Sequence, residues 1–153
     1  MRQHLFSCSL EWTGAAAGEA ADYQSYSREW RAAIAGKPDL TGSADPTFRG
    51  SPQLYNPEDL LVAALASCHL LSYLALCTRG GITVVSYRDD ASGTLELHDG
   101  KIRFTSVLLR PQVTVRGDVA KATRLHEQAH AECFIANSVN FPVRHEPVVT
   151  AAT

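Results

Sequence analysis

The amino-acid sequence predicts a single α+β domain over residues 1–153, with antiparallel sheets and two main helices. Three observations predict this class. A long apolar helix begins near Asn56, a hairpin turn is indicated at residues 98–101, and segments of alternating polarity flank both predicted helices. The order of elements is strands, helix, strands, helix and strand, which favours antiparallel pairing.

Composition limits the functions that this chain can have. Of its 153 residues 45% are apolar and 20% are charged, and the formal net charge is −2. This balance excludes a disordered chain and gives no electrostatic reason to bind nucleic acid or an anionic membrane. Four cysteines are too few for a disulfide scaffold. Because the N-terminal residues have no apolar run typical of a signal peptide, we expect a cytoplasmic protein with reduced cysteines.

The first third of the chain combines strand and turn signals. Leu5 to Thr13 alternates in polarity and predicts a strand, and the small residues from Gly14 to Gly18 predict a turn. Tyr23 to Ile34 predicts a second strand, although Glu29 to Ala35 is also compatible with a helix. Residues 37–57 are rich in Pro, Gly, Ser and Asp, which predicts mostly loop.

The first predicted helix has clear limits. Asn56 is a suitable N-cap, Pro57 fits the first helical position, and Gly80-Gly81 ends the helix. The 19 residues from Leu60 to Thr78 carry no formal charge, which is nearly enough to span a bilayer. Polar residues near the middle, among them His69, and the lack of a flanking basic cluster favour a buried central helix over a membrane span.

The second half predicts shorter elements around a second helix. Pro111 within a longer alternating run indicates an edge strand or a bulge, and Asp118 is a suitable N-cap. The predicted elements, in chain order, are strands at Ile82–Tyr87, Thr94–Leu97 and Ile102–Val115, a helix from Asp118 to about Ala136, and a strand at Val143–Val149.

One short motif suggests a metal. Residues 126–130 read His-Glu-Gln-Ala-His, and on a helix this spacing places two imidazoles on one face to bind zinc, with the glutamate as general base. His145, Glu146 and Cys133 are possible third ligands. The competing interpretation, which we favour, is a solvent-facing polar strip on the second helix. We therefore expect neither a metal nor a cofactor.

A longer pattern surrounds Cys68. Residues 56–68 read NPEDLLVAALASC, and this segment resembles the cysteine-bearing helix of the OsmC/Ohr family of thiol peroxidases. A second cysteine, Cys133, follows 65 residues later on the second predicted helix, as in that family. The resemblance covers nearly the whole chain after about residue 5. It implies an OsmC-like fold in an intertwined homodimer, with the first helix at its centre.

The family resemblance also implies an activity and a set of site residues. Cys68 would be the peroxidatic thiolate that reduces organic hydroperoxides, and Cys133 the resolving thiol that forms a disulfide with it. Glu58 matches the family glutamate. Arg49 is the best match to the arginine that stabilises the thiolate, with Arg28 as the alternative. A small-molecule or protein dithiol would then restore both thiols.

Two features leave the activity open. His69 follows the first cysteine, where it is either a core or interface histidine with a hydrogen-bond partner or a base that helps to ionise a cysteine. The residues after Cys133 lack the proline of the well-known members, which places the chain in an OsmC-like subgroup. The alternative function is an OsmC-like stress or ligand-binding protein without peroxidase turnover.

Overall fold

A computed structural model describes residues 2–153. The chain forms two compact units, one ending at Leu60 and the other spanning Leu61–Thr153. The helices and strands, in chain order, are β1 (Ser9–Glu11), β2 (Trp30–Ala33), β3 (Leu40–Gly42), α1 (Pro57–Arg79), β4 (Thr83–Asp89), β5 (Ser92–His98), β6 (Lys101–Leu109), β7 (Pro111–Arg116), α2 (Val119–Glu132), β8 (Val143–His145) and β9 (Val148–Ala151).

The first unit contains the antiparallel sheet β1-β2-β3. Its first two strands are only 3 and 4 residues long, much shorter than the predicted strands. The stretch between them is held by side chains instead, since the Trp12 indole N–H donates to the Ser27 carbonyl at 2.8 Å. Residues 30–33 form a strand, which corrects the helical alternative.

Helix α1 begins and ends where the sequence predicts. The Asn56 side chain accepts a hydrogen bond from the Asp59 amide at 2.8 Å, and the Asp59 carboxylate accepts one from the Asn56 amide at 3.3 Å. This reciprocal capping satisfies two amides of the first turn. At the other end, Gly81 has φ 74°, a conformation that glycine adopts readily, and the chain turns into β4.

Within the single chain, the fully buried residues of α1 are confined to one face of the helix. The buried residues are Leu65, His69, Tyr73, Leu76 and Cys77. The helix is long and apolar enough to cross a membrane by length and composition, but only 28% of its most apolar window is buried. Apolar surface therefore remains on its other face.

Strands β4 to β7 form two antiparallel pairs, β4 with β7 and β5 with β6. The predicted strand at 102–115 is split at Arg110, since β6 pairs with β5 whereas β7 pairs with β4 in a different sheet. The Arg110 amide donates to the Asp89 carboxylate at 2.7 Å, which fixes the bend. Asp99 and Gly100 both have positive φ and close the predicted hairpin.

The last predicted strand is also split. Strand β8 pairs with β6 and β9 pairs with β7, and both pairs are parallel, which corrects the expectation of purely antiparallel sheets. The resulting sheets have the orders β5-β6-β8 and β4-β7-β9. Helix α2 is capped by Asp118, as predicted, but it ends at Glu132 because Cys133 has extended backbone angles.

Two apolar clusters hold the second unit together. In the larger cluster, the second half of α1 packs with β7 and α2 around Tyr73, Val115 and Ala129. In the smaller cluster, Leu65 of α1 packs with residues of β6 and β8, including Val107. Both helices are thereby fixed in one unit, and this sets the relative positions of Cys68 and Cys133.

Candidate functional site

The two predicted redox cysteines meet in the second unit. Cys68 lies on α1 and is half-buried, and Cys133 lies at the C-terminal end of α2 and is 1% exposed. The two thiols are neighbours, and the Cys68 thiol raises the pKa of Cys133. The fold therefore brings together two thiols that are 65 residues apart in the sequence.

Cys133 is held as a thiol in this arrangement. Burial, above all, and the neighbouring Cys68 thiol raise the pKa of Cys133 to about 11, although the hydrogen bond from the Ala136 amide lowers it. That amide donates to the Cys133 sulfur at 3.4 Å. Since only a thiolate attacks sulfur or oxygen, Cys133 needs help to lose its proton.

Glu58 and Arg28 line one cavity of about 440 Å³ within the first unit. The other walls are largely aromatic, from Trp12, Tyr26, Trp30 and Phe48. The Arg28 guanidinium lies over the Tyr26 ring, 3.7 Å from its centroid, and donates to the Tyr26 and Tyr23 carbonyls. Among the described residues its Nε has no hydrogen-bond partner.

Arg49 lies elsewhere in the first unit. It ends a short 3₁₀ turn with φ 66°, it is exposed, and it does not line the cavity that Glu58 lines. Of the two arginines that the sequence suggests, the structure places Arg28 beside Glu58. The identity of the catalytic arginine stays a prediction.

A cluster of four histidines lies in the second unit. Two of its members, His69 and His130, are close to Cys68 and Cys133 in the sequence. It comprises His69 of α1, His126 and His130 of α2, and His145 of β8; we call it the histidine cluster. His69 Nε2 and His126 Nδ1 are 3.0 Å apart and share one proton in a hydrogen bond. The His145 ring lies 5.5 Å from that of His69 and 5.4 Å from that of His130.

Burial keeps His69 and His126 uncharged near neutral pH. Burial, together with a smaller effect of the neighbouring imidazoles, lowers the pKa of His69 to about 4 and that of His126 to about 3. Burial also lowers the pKa of His145, although the Glu127 carboxylate opposes this shift. His69 is thus a core histidine with a hydrogen-bond partner, as one of the two interpretations expected.

The HEQAH motif does not have the geometry of a zinc site. His126 bonds to His69 and stacks on Tyr73, with 3.8 Å between ring centroids, whereas His130 faces His145. The His69 and His126 rings are 10° from parallel with centroids 5.3 Å apart, so their nitrogens point at each other. Within residues 2–153, no three His, Cys, Asp or Glu side chains are arranged to hold a metal ion.

The sequence interpretation of this motif was wrong for His126, which is fully buried, and right for Glu127 and Gln128, which are exposed. The signal available in the sequence was that His126 and Cys133 are seven residues apart and share a helix face. His145 had no such signal, because it reaches the cluster from a strand that is distant in the sequence.

Comparisons with known proteins agree with this architecture. Residues 50–147 match the model of the OsmC-like protein family. An OsmC-like protein of unknown function from Vibrio cholerae has a solved structure with a TM-score of 0.86 and 34% identity, covering 95% of this chain and all of that one. An organic hydroperoxide resistance protein from Elizabethkingia anophelis has a TM-score of 0.67 at 15% identity, covering 99% of this chain and 100% of that one, which shows a shared fold.

Among curated proteins, the uncharacterized protein YmaD of Bacillus subtilis is 25% identical over 89 residues. That match covers 55% of this chain and 59% of YmaD, so the chain spans well under two thirds of that relative. The family model matches more than half of the chain, and the Vibrio cholerae structure is similar over nearly its whole length. Together with the two-helix α+β fold, these matches show that the chain belongs to the OsmC/Ohr family of OsmC-like proteins.

Proposed function

We propose that this protein is a thiol-dependent peroxidase that reduces organic hydroperoxides to alcohols in the cytoplasm. The observation that carries the proposal is the meeting of the Cys68 and Cys133 thiols, one half-buried and one buried. A peroxidatic thiol must be reachable by substrate, whereas a resolving thiol must only reach its partner. Cys68 therefore takes the first role and Cys133 the second.

In the first step, the Cys68 thiolate attacks the terminal peroxide oxygen, the O–O bond breaks, and the alkoxide takes a proton and leaves as the alcohol. Cys68 becomes a sulfenic acid. Arg28 stabilises the thiolate and the developing negative oxygen, since a guanidinium keeps its charge. Glu58 orients Arg28, and this role is consistent with their shared cavity.

In the second step, the Cys133 sulfur attacks the Cys68 sulfenic acid, a disulfide forms and hydroxide leaves as water. A small-molecule or protein dithiol then reduces the disulfide by thiol exchange. All four cysteines are free in residues 2–153 of this structure, as in the reduced half of such a cycle.

The proposed assembly is an intertwined homodimer. On α1, Ala63, Ser67 and Leu71 follow each other at intervals of four residues and are exposed, and Leu71 is 65% exposed. Glu58 and Cys68 are ten residues apart, roughly 15 Å along the helix and about 80° around it, so one helix cannot bring both to one contact. A second copy would cover the exposed stripe and supply Glu58 and Arg28 to Cys68.

A turnover assay tests this function. Purified protein is given cumene hydroperoxide or hydrogen peroxide with a dithiol reductant, and peroxide loss is followed. We expect turnover with a preference for the organic peroxide, because the segment of α1 that carries Cys68 is mostly apolar, and none in Cys68→Ser. Equal peroxide loss with wild type, with Cys68→Ser and without protein would reject the proposal.

The aromatic cavity in the first unit favours a second candidate, a ligand-binding protein without turnover. Trp12 and Trp30 line this cavity, so an apolar ligand there would change tryptophan fluorescence. This candidate predicts saturable binding that is the same in wild type and Cys68→Ser, together with no peroxide consumption.

A further inference from the structure

The histidine cluster connects the buried end of α2 to the protein surface. His130 lies three residues before Cys133, which caps the C-terminus of α2, and the Cys133 amide donates to the His130 carbonyl at 3.3 Å. A spacing of three residues at a helix end places the two side chains on the same side. The His130 ring faces His145 at 5.4 Å between centroids. His145 is thus the next imidazole outward from Cys133.

Glu127 completes a route to solvent. His145 Nε2 lies 3.6 Å from the Glu127 carboxylate, and the His145 side chain is 8% exposed whereas that of Glu127 is 80% exposed. One buried imidazole is therefore in contact with a carboxylate that stands in water. Two residues of the HEQAH motif, Glu127 and His130, lie on this route from Cys133 to solvent.

Several imidazole nitrogens along this route are buried without a hydrogen-bond partner in the described part of the chain. Among the described residues, His130 Nδ1 and His145 Nδ1 are buried without a hydrogen-bond partner, and so are His69 Nδ1 and His126 Nε2 beside them. Buried polar atoms in proteins are normally satisfied, and a group of unpaired nitrogens is what a buried water requires. Such a water would join His130 to His145.

The buried polar groups that surround the histidine cluster carry no charge near pH 7. His69 and His126 bond to each other, and burial keeps both neutral near pH 7. Burial raises the pKa of Tyr73 and of Tyr87, which hold their protons, and it also raises that of Cys77. Glu127 is the carboxylate in contact with His145, so a proton leaving Cys133 is drawn toward it.

We propose that His130, His145 and Glu127 form a proton path from the Cys133 thiol to solvent, used when Cys133 attacks the Cys68 sulfenic acid. The inference rests on the proposed peroxidase function. The Cys133 S–H bond breaks and its proton passes along the path, the S–S bond forms, and the Cys68 S–O bond breaks. The hydroxide takes a proton from solvent and leaves as water, so no further oxidant or reductant is needed.

The test separates the two chemical steps. Reduced protein is mixed with one equivalent of cumene hydroperoxide; Cys68 sulfenic acid is trapped with dimedone at successive times, and disulfide is counted by thiol loss. The variants are His145→Gln and Glu127→Gln, and the latter changes only an exposed side chain. Glu132→Gln is the matched control, because Glu132 is exposed on the same helix and bonds to Gln128.

We expect His145→Gln to slow disulfide formation by about 10²-fold, a typical contribution of a positioned proton acceptor. Glu127→Gln slows it less, since water can partly replace an exposed carboxylate, and Glu132→Gln behaves as wild type. The rate in His145→Gln rises with pH and approaches the wild-type rate near the Cys133 pKa of about 11, where hydroxide removes the proton. A purely structural effect would leave the difference between the two rates unchanged as the pH rises.

The possible results test the proton path and the peroxidase function separately. Normal sulfenic acid formation with equal disulfide rates in wild type, Glu127→Gln and His145→Gln would overturn the path alone. A loss that persists unchanged at high pH would also overturn it. A wild-type protein that forms no sulfenic acid would overturn the peroxidase function, and the path with it.

Discussion

At the scale of single residues, the proposed peroxidase chemistry depends on which arginine stabilises the Cys68 thiolate. Arg28 and Glu58 line one cavity, and two tyrosines and two carbonyls hold the Arg28 guanidinium. Arg49 is exposed at the end of a short turn. The family resemblance favoured Arg49 because its position before Glu58 is the best match to the family arginine, and a match in sequence position carries no information about how the loop folds.

Substitution of each arginine by lysine distinguishes them. Lysine keeps the charge but loses the planar fork of donors. We expect Arg28→Lys to lower kcat/KM for cumene hydroperoxide by about 10²-fold, the usual cost of one donor at a developing negative charge. Arg49→Lys is expected to stay near wild type. The opposite order of the two variants in a steady-state assay would transfer the role to Arg49.

At the scale of elements, the local signals predicted well and the tertiary ones did not. The caps at Asn56 and Asp118 and the turn at Asp99-Gly100 depend on nearby residues, so the sequence contained them. The division of one strand at Arg110 depends on a hydrogen bond to Asp89, which is 21 residues away. Parallel pairing of β8 and β9 likewise depends on distant strands.

The candidate site shows the same division. The pattern around Cys68 and the distant Cys133 predicted a redox pair only through their resemblance to the OsmC/Ohr family, because local signals in the two helices do not say that the cysteines meet. The histidine cluster was not predictable, since it joins α1, α2 and β8 through side chains only. The HEQAH spacing indicated a metal. In the structure, His126 is instead buried against His69 and Tyr73, so its imidazole packs in the core.

The packing of α1 on α2 makes stability depend on pH. The folded-state pKa values of His69 and His126, about 4 and about 3, lie below the ordinary value of 6.5. Below pH 6.5 the unfolded chain therefore binds protons that the folded chain does not, and stability falls until the folded-state values are reached. Each histidine costs about 2 kcal/mol between pH 6.5 and 5, at 1.36 kcal/mol per pKa unit.

Urea unfolding at pH 7.5 and at pH 5 measures this loss. The double variant His69→Gln/His126→Gln should lose much less stability over the same interval, whereas His98→Gln, an exposed histidine, should behave as wild type. Equal pH dependence in wild type and the double variant would show that other groups are responsible.

At the scale of the whole molecule, the exposed stripe of α1 predicts a dimer. Leu71→Glu places a charge on this stripe without changing the buried face of the helix. We expect it to shift the protein to a monomer in sedimentation and to reduce turnover, because the proposed site takes Glu58 and Arg28 from the partner. Thr123→Glu, which adds the same charge at an exposed position of α2, away from this stripe, is the control. An active wild-type monomer would contradict the assembly.

The central claim is that Cys68 and Cys133 are the two halves of one redox cycle. The most direct measurement is the thiol count and disulfide map after one equivalent of cumene hydroperoxide. We expect loss of two thiols and a single disulfide that joins Cys68 to Cys133, with a trappable sulfenic acid instead in Cys133→Ser. An unchanged thiol count, or a disulfide that involves Cys8 or Cys77, would contradict it.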